Sequence, residues 1–267
     1  LELIVLTHQH MDHVGLLEIL SRRSGAEVAA LSMLEPYLAD WGASAAADDE
    51  FAQQTMRRHG TPNELATVLG AVGAAFRAFG SGGPVTRPLA EGDELTFRDR
   101  TLRVLHRPGH SPSDTLFWDE RRRMAIGGDH LLSHISSNPL VSRPLDGSSD
   151  DGARPHALLT YLESMQKTRS LELDLILPGH GDAITDHVAL IDERFRMHRR
   201  RARKLLKLLE PAPLSAYELA LQMWGNIAVT QAFLTISEVL GHLDLLVRDG
   251  LVAEHERDGV VRFEALR

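Results

Sequence analysis

The chain opens on an apolar run, Leu3-Ile4-Val5-Leu6, that ends abruptly in polar residues. Four apolar residues bounded by a break read as a buried strand. Leu16, Leu17, Ile19 and Leu20 follow at helical spacing and predict a helix over 15–24, after which Glu27 to Ser32 returns to a strand. Residues 35–80 carry helical patterning, in Asp49 through Arg58 and Pro62 through Phe79, and Ser81-Gly82-Gly83-Pro84 ends it. Short β-like segments come next: 94–98 and 101–105 around Asp99-Arg100, then 115–119 and 123–126. Ser, Asn, Pro and Gly dominate 133–154. A helix over 156–170, a strand over 174–177 and a long helix over 186–209 follow. Pro211-Ala212-Pro213 breaks the chain. Beyond it, helices at 215–224 and 231–248 lead to strands at 251–256 and 260–265, and Asp258-Gly259 between them is a hairpin signal.

Strands interleaved with helices imply an α/β architecture. The helical stretch at 35–80 is long for an excursion in a compact domain and is expected to be a substrate-binding cap. The 133–154 stretch, with Ser136-Ser137-Asn138-Pro139 and Asp146-Gly147-Ser148-Ser149-Asp150-Asp151-Gly152, is expected to form a pocket rim.

The polar residues that stop the first strand change the picture. Thr7-His8-Gln9-His10-Met11-Asp12-His13 places three imidazoles and a carboxylate within six residues. Both groups are good ligands for zinc, iron or manganese. Alternate residues at a strand end converge on one point, while Asp12 and His13 turn toward a second, so the run reads as two metals. Three further islands stand at strand-to-loop junctions: Pro108-Gly109-His110-Ser111, Gly127-Gly128-Asp129-His130 and Pro178-Gly179-His180-Gly181. Pro-Gly before His makes a sharp turn that can aim the ring into a cleft.

These four motifs, in this order, resemble the metallo-β-lactamase superfamily and, within it, the glyoxalase II-like hydrolases, over residues 1 to about 210. The resemblance implies an αββα sandwich. It implies His8, His10 and His110 around one metal, Asp12, His13 and His180 around another, and Asp129 bridging the two. A hydroxide held between the cations would attack a small acyl substrate (a thioester, ester or lactone), with Asp12 as the residue that orients it and carries its proton. Two divalent ions are the expected cofactors, with zinc the default and iron or manganese also suited. His130 and His134 are candidates to support the ligands or touch substrate. His106, His156, His187, His198, His242 and His255 lack ligand context and read as surface or packing residues.

The chain has 267 residues, enough for one large domain and a small companion. The expected boundaries are 1–210 for the catalytic domain and 211–267 for a module that resembles a winged helix. Because it begins with Leu1, inside what should be a central strand, the first sheet is expected to lack its N-terminal strands. No cysteine is present, so disulfides, thiol catalysis and Cys metal ligands are excluded. Net charge is −8, and residues 211–267 hold eight acidic residues against four Arg, which argues against nucleic acid. No run is long enough to span a bilayer, and a cytoplasmic setting is expected. The basic face from Arg194 to Lys207 reads as a solvated helix surface. A homodimer is compatible with these features. The runner-up function is a metal-dependent endoribonuclease of the same superfamily, with that face as the RNA contact. A third is a non-catalytic binding protein, which the intact ligand set disfavours.

Overall fold

The structure, a computed structural model, describes residues 1–145 and 154–266. Strand β1 (Leu3–Val5) leads to a one-turn helix α1 (Met11–Val14), helix α2 (Leu17–Ser24) and strand β2 (Glu27–Leu31). Helices α3 (Glu35–Ala39), α4 (Trp41–Arg58) and α5 (Asn63–Phe76) fill the interval patterned as a helical insertion. Strands β3 (Arg87–Leu89), β4 (Glu94–Thr96), β5 (Thr101–His106), β6 (Thr115–Asp119) and β7 (Met124–Gly128) come next. They are followed by α6 (Ala157–Arg169), β8 (Leu175–Pro178) and α7 (His187–Leu209). The last elements are α8 (Ala216–Trp224), α9 (Ile227–Thr230), α10 (Ala232–Arg248) and a hairpin of β9 (Val252–Arg257) and β10 (Val260–Ala265).

Two sheets form the middle of the molecule, one parallel in the order β1-β2-β3 and one in the order β4-β5-β6-β7-β8. The period-two alternation of the strands sorts side chains between them. Leu3 and Val5 turn inward with Ala29 and Leu31 to meet Leu95, Leu102, Val104 and Phe117 of the other sheet. Ile4 and Leu6 turn outward onto Val14, Leu17, Leu34 and Leu38. On the far side, Ala125 and Ile176 pack against Leu158, Tyr161, Met165 and Ile191 of α6 and α7. Helices thus cover both outer faces, giving the expected αββα layering. Among the described residues no helix is long and apolar enough to cross a membrane.

Several details depart from the pattern. Strand β3 was not predicted. It has three residues with Pro88 in the middle, and it lies at a sheet edge, where a missing N–H is tolerated. Helix α1 is a single turn, too short for a periodic signal. In α2 only Leu17 is buried, whereas Leu16, Ile19 and Leu20 face outward. Arg194 is not on a solvated face: it is buried and donates to the carbonyls of Leu132, Ser133 and Ile135, holding the loop that follows β7. The 146–153 part of the expected pocket rim lies outside the described residues.

The C-terminal elements share a core with the insertion. Met56 and Ala66 pack in one cluster with Leu205, Leu209, Leu219, Ile236, Leu240, Val261 and Phe263. Every residue of α10 from Thr235 to Leu246 is buried. Its polar groups are matched: Asp244 accepts from Arg154 Nη1 at 2.7 Å, and Glu238 pairs with Arg201. The hairpin turns through Asp258 and Gly259, both at positive φ (53° and 76°), as a two-residue turn of this twist demands.

His242 Nδ1 donates to the Glu238 carbonyl at 2.6 Å, so its Nε2 accepts from His198 Nδ1 at 3.1 Å. This arrangement requires His242 Nε2 to be unprotonated. Burial, helped by repulsion from His242, drives the His198 pKa from 6.5 down to about 3, and burial lowers His242 as well. His59, buried beside Phe263, is likewise pushed down to about 3 by burial. A histidine depressed in this way is protonated first in the unfolded chain. Its contribution to stability is complete above about pH 6.5 and is lost as pH falls toward 3. Stability against urea is expected to fall across that interval, on the order of 1 kcal/mol per pH unit for His198 and for His59. The variant His198→Gln should flatten the slope; an unchanged slope would show that the ring is not held neutral.

Candidate metal centre

Four loops at one end of the two sheets deliver the predicted ligands. His8, His10, Asp12 and His13 follow β1, His110 lies in the β5–β6 loop, Asp129 follows β7 and His180 follows β8. The loops are tied to one another by backbone. Thr115 N donates to Thr7 O at 2.9 Å and Gly179 N to Gly128 O at 2.7 Å.

All seven side chains come together. His8 Nε2 lies 3.1 Å from His10 Nδ1, and His110 Nε2 lies 3.0 Å from the same atom. Asp12 Oδ2 is 3.1 Å from His180 Nε2 and 3.6 Å from His13 Nε2. Asp129 stands between the two groups. Its Oδ1 is 3.5 Å from His13 Nε2, and its Oδ2 is 3.5 Å from His180 Nε2 and 3.7 Å from His110 Nε2. Three overlapping sets here have the reach of a metal site, His8/His10/His110, Asp12/His13/His180 and His8/His13/Asp129, and Asp129 also lies within 3.5–3.7 Å of His180 and His110.

The electrostatics favour a cation. Burial, then repulsion from the neighbouring rings, holds the His8 pKa far below its ordinary value and brings His10 down to about 3. Burial lowers His110 too. The outer partners orient the rings. His110 Nδ1 donates to the Asn138 carbonyl at 3.0 Å, leaving Nε2 as a bare lone pair, and His8 Nδ1 meets Thr7 Oγ1 at 3.1 Å. His13 differs. Burial works against its charge, but the carboxylates of Asp129, 3.5 Å away, and of Asp12 outweigh it and raise its pKa. Neutral imidazoles aimed at one another, with His13 Nε2 and Asp129 Oδ1 buried and without a hydrogen-bond partner, form a donor set that a divalent cation completes.

The supporting shell was only partly foreseen. His130 is buried with Nε2 2.9 Å from Thr168 Oγ1, and its carbonyl accepts from Tyr161, so its ring points into the core. His134 is exposed and joins Asp182 at 2.7 Å across the rim. The supports that sequence reasoning missed are Thr7, Asn138 and Asp114. Buried Asp114 caps the loop carrying His110 by accepting from Ser111 N and Ser111 Oγ, both at 2.9 Å. Its carboxyl is raised to about 7, chiefly by burial. The Ser-Pro-Ser-Asp order after His110 is the signal for such a capped turn. Among the other histidines, His187, His198 and His242 are buried packing residues. His198, Glu238 and His242 also lie close enough together to reach one ion, but Arg201 already neutralises Glu238.

Comparison with known proteins identifies the family. The family model described as the metallo-beta-lactamase superfamily matches residues 1–180, and the chain belongs to that superfamily. It is 30% identical over 267 residues to a Bacillus subtilis protein named probable metallo-hydrolase YqjP, covering 100% of this chain and 81% of that one. It is 26% identical over 151 residues to an atrochrysone carboxyl ACP thioesterase of Emericella nidulans, covering 57% of this chain and 43% of the relative. The whole fold superposes on a beta-lactamase domain protein from Burkholderia ambifaria with a TM-score of 0.81 and 27% identity, covering 100% of this chain and 75% of that one.

Gly179 sets how closely the His180 loop approaches the other ligands. A Cβ there would fall 2.3 Å from Asp129 Oδ1 and 2.8 Å from His13 Cε1. Gly179→Ala is therefore expected to displace Asp129 and lower bound metal per chain, with circular dichroism unchanged. Elemental analysis showing full metal content in that variant would contradict the placement of Asp129.

Proposed function

We propose that this protein is a dinuclear metal-dependent hydrolase of small acyl compounds: thioesters, esters or lactones. The observation that carries this reading is the position of Asp129, whose two oxygens reach the His8/His10/His110 set and the Asp12/His13/His180 set at once. The thioesterase named among the relatives supports the acyl class. Zinc is the default occupant, since imidazole and carboxylate suit it, and iron or manganese fit the same donors.

When bound, two such cations would supply Lewis acidity toward a carbonyl oxygen and acidify water between them. The chain's own residues do the rest. Asp129, held by His13, fixes the spacing of the two sets. Asp12 is the candidate proton carrier: its side chain is 57% exposed and its Oδ2 lies on the open side of the cluster beside His180. It can take the proton of the attacking water at Oδ2 and return it to the departing sulfur or oxygen. The Asn138 carbonyl and Thr7 hydroxyl keep the rings of His110 and His8 turned inward.

The C-terminal segment is read as a winged-helix-like packing module. Its second long helix, α10, is enclosed by the protein itself, so it cannot enter a nucleic-acid groove without leaving the core. The exposed bases of α7 (Arg196, Arg199, Arg200, Arg203, Lys204 and Lys207) keep a ribonuclease as the second reading. One preparation loaded with Zn²⁺ and offered acyl thioesters, a lactone and single-stranded RNA separates the two. Acyl turnover without RNA cleavage is expected; RNA cleavage alone would contradict the proposal. Asp12→Asn is expected to lose on the order of 10²-fold or more in kcat, as for a missing proton carrier, and His8→Ala, which removes a metal ligand, at least as much.

A further inference from the structure

A cleft begins at the metal-binding motif itself. Gln9, His10 and Met11 line it together with residues of α3, α4, α5, the 140–145 loop and Phe233 of α10. Its volume is about 250 Å³. Met11, Trp41, Phe51, Phe76, Leu145 and Phe233 make the walls apolar.

Four charged residues also line it, and each is already matched to another. Asp48 accepts from Tyr37 Oη at 2.8 Å and from Arg143 Nε at 3.1 Å. Arg77 Nε pairs with Asp49 at 3.2 Å. No cation is left over among the described lining residues to receive a phosphate or carboxylate. Burial raises the carboxyl pKa of both Asp48 and Asp49, which accords with a poorly hydrated wall. The other side of the metal site is different. Asp12 and His180 have side chains 57% and 51% exposed, and His134 and Asp182 form an open polar rim nearby.

We propose that this cleft takes the uncharged, apolar acyl group of the substrate, and that the polar carrier or alcohol departs on the open His180 side. The inference rests on the hydrolase reading above and adds the substrate class to it. The cleft is continuous with His10, so a chain lying in it places its carbonyl carbon beside the metal ligands. A succinyl-type acyl group would bring a carboxylate against matched charges, where it loses its hydration without a new partner. The cleft is built jointly by the insertion and the C-terminal helix, and this gives their shared core a functional consequence.

The test uses the Zn²⁺-loaded protein and S-acyl-N-acetylcysteamine thioesters carrying acetyl, butanoyl, hexanoyl, octanoyl and succinyl groups. The value of kcat/KM is expected to rise about fourfold per methylene until the cleft is filled. Succinyl is expected to fall at least tenfold below butanoyl. Ala45→Phe, which projects a ring into the cleft from α4, should lower the octanoyl-to-acetyl ratio at least tenfold. Octan-1-ol titrated against tryptophan fluorescence supplies a readout free of turnover: saturation in the wild type and none in Ala45→Phe is expected. Saturation by octan-1-ol in a preparation that cleaves none of these thioesters, nor the matching octanoyl ester or a lactone, would support the cleft and sink the hydrolase reading. Cleavage with no dependence on chain length, or succinyl turned over as well as butanoyl, would overturn the cleft and leave the hydrolase reading standing.

Discussion

The constraint on which the rest of the structure depends is the crowding of unshared lone pairs at one end of the sandwich. His8, His10 and His110 turn ring nitrogens toward one another at 3.0–3.1 Å, and the carboxylates of Asp12 and Asp129 close in from beside them. Burial keeps those three rings from taking protons in place of a metal. Such an arrangement is costly unless a cation fills it, and it persists only because rigid elements hold each ligand. The Thr7–Thr115 and Gly128–Gly179 backbone bonds tie the loops together at their bases, and the core between the sheets fixes the strands that feed them.

The rest of the chain can be understood as support for that end. Arg194 reaches from α7 to three carbonyls of the loop after Asp129, and Asp114 caps the turn that presents His110. Helices α4 and α5 belong to the helical side of the molecule. They lean against α10 and make a second core that stands beside the metal motif. The molecule thus pairs a sandwich that gathers the seven side chains with a helical layer packed beside them.

The metal-binding end was legible in the sequence because its signal is local. His8, His10, Asp12 and His13 share one strand end, and each remaining ligand carries its own Gly-marked turn. The αββα layering was legible through the resemblance those motifs carry, and the strand alternation then shows why it forms. What escaped was non-local. Strand β3 is three residues around a proline and exists only because β2 accepts it as an edge. Leu16, Ile19 and Leu20 have helical spacing yet face outward, since periodicity marks a face without saying whether anything covers it. Arg194 sits within a basic run and looked solvated, but three carbonyls more than fifty residues away claim it. The fusion of the C-terminal elements with Met56 and Ala66 likewise depends on contacts that no local window contains.

The central claim is that seven side chains enclose two cations sharing Asp129. Anomalous diffraction from crystals of the Zn²⁺-loaded protein, recorded above and below the zinc edge, tests it most directly. Two peaks are expected, one among His8, His10 and His110 and one among Asp12, His13 and His180, with Asp129 reaching both. No peak there, or a single peak at His198, Glu238 and His242 instead, would contradict the account.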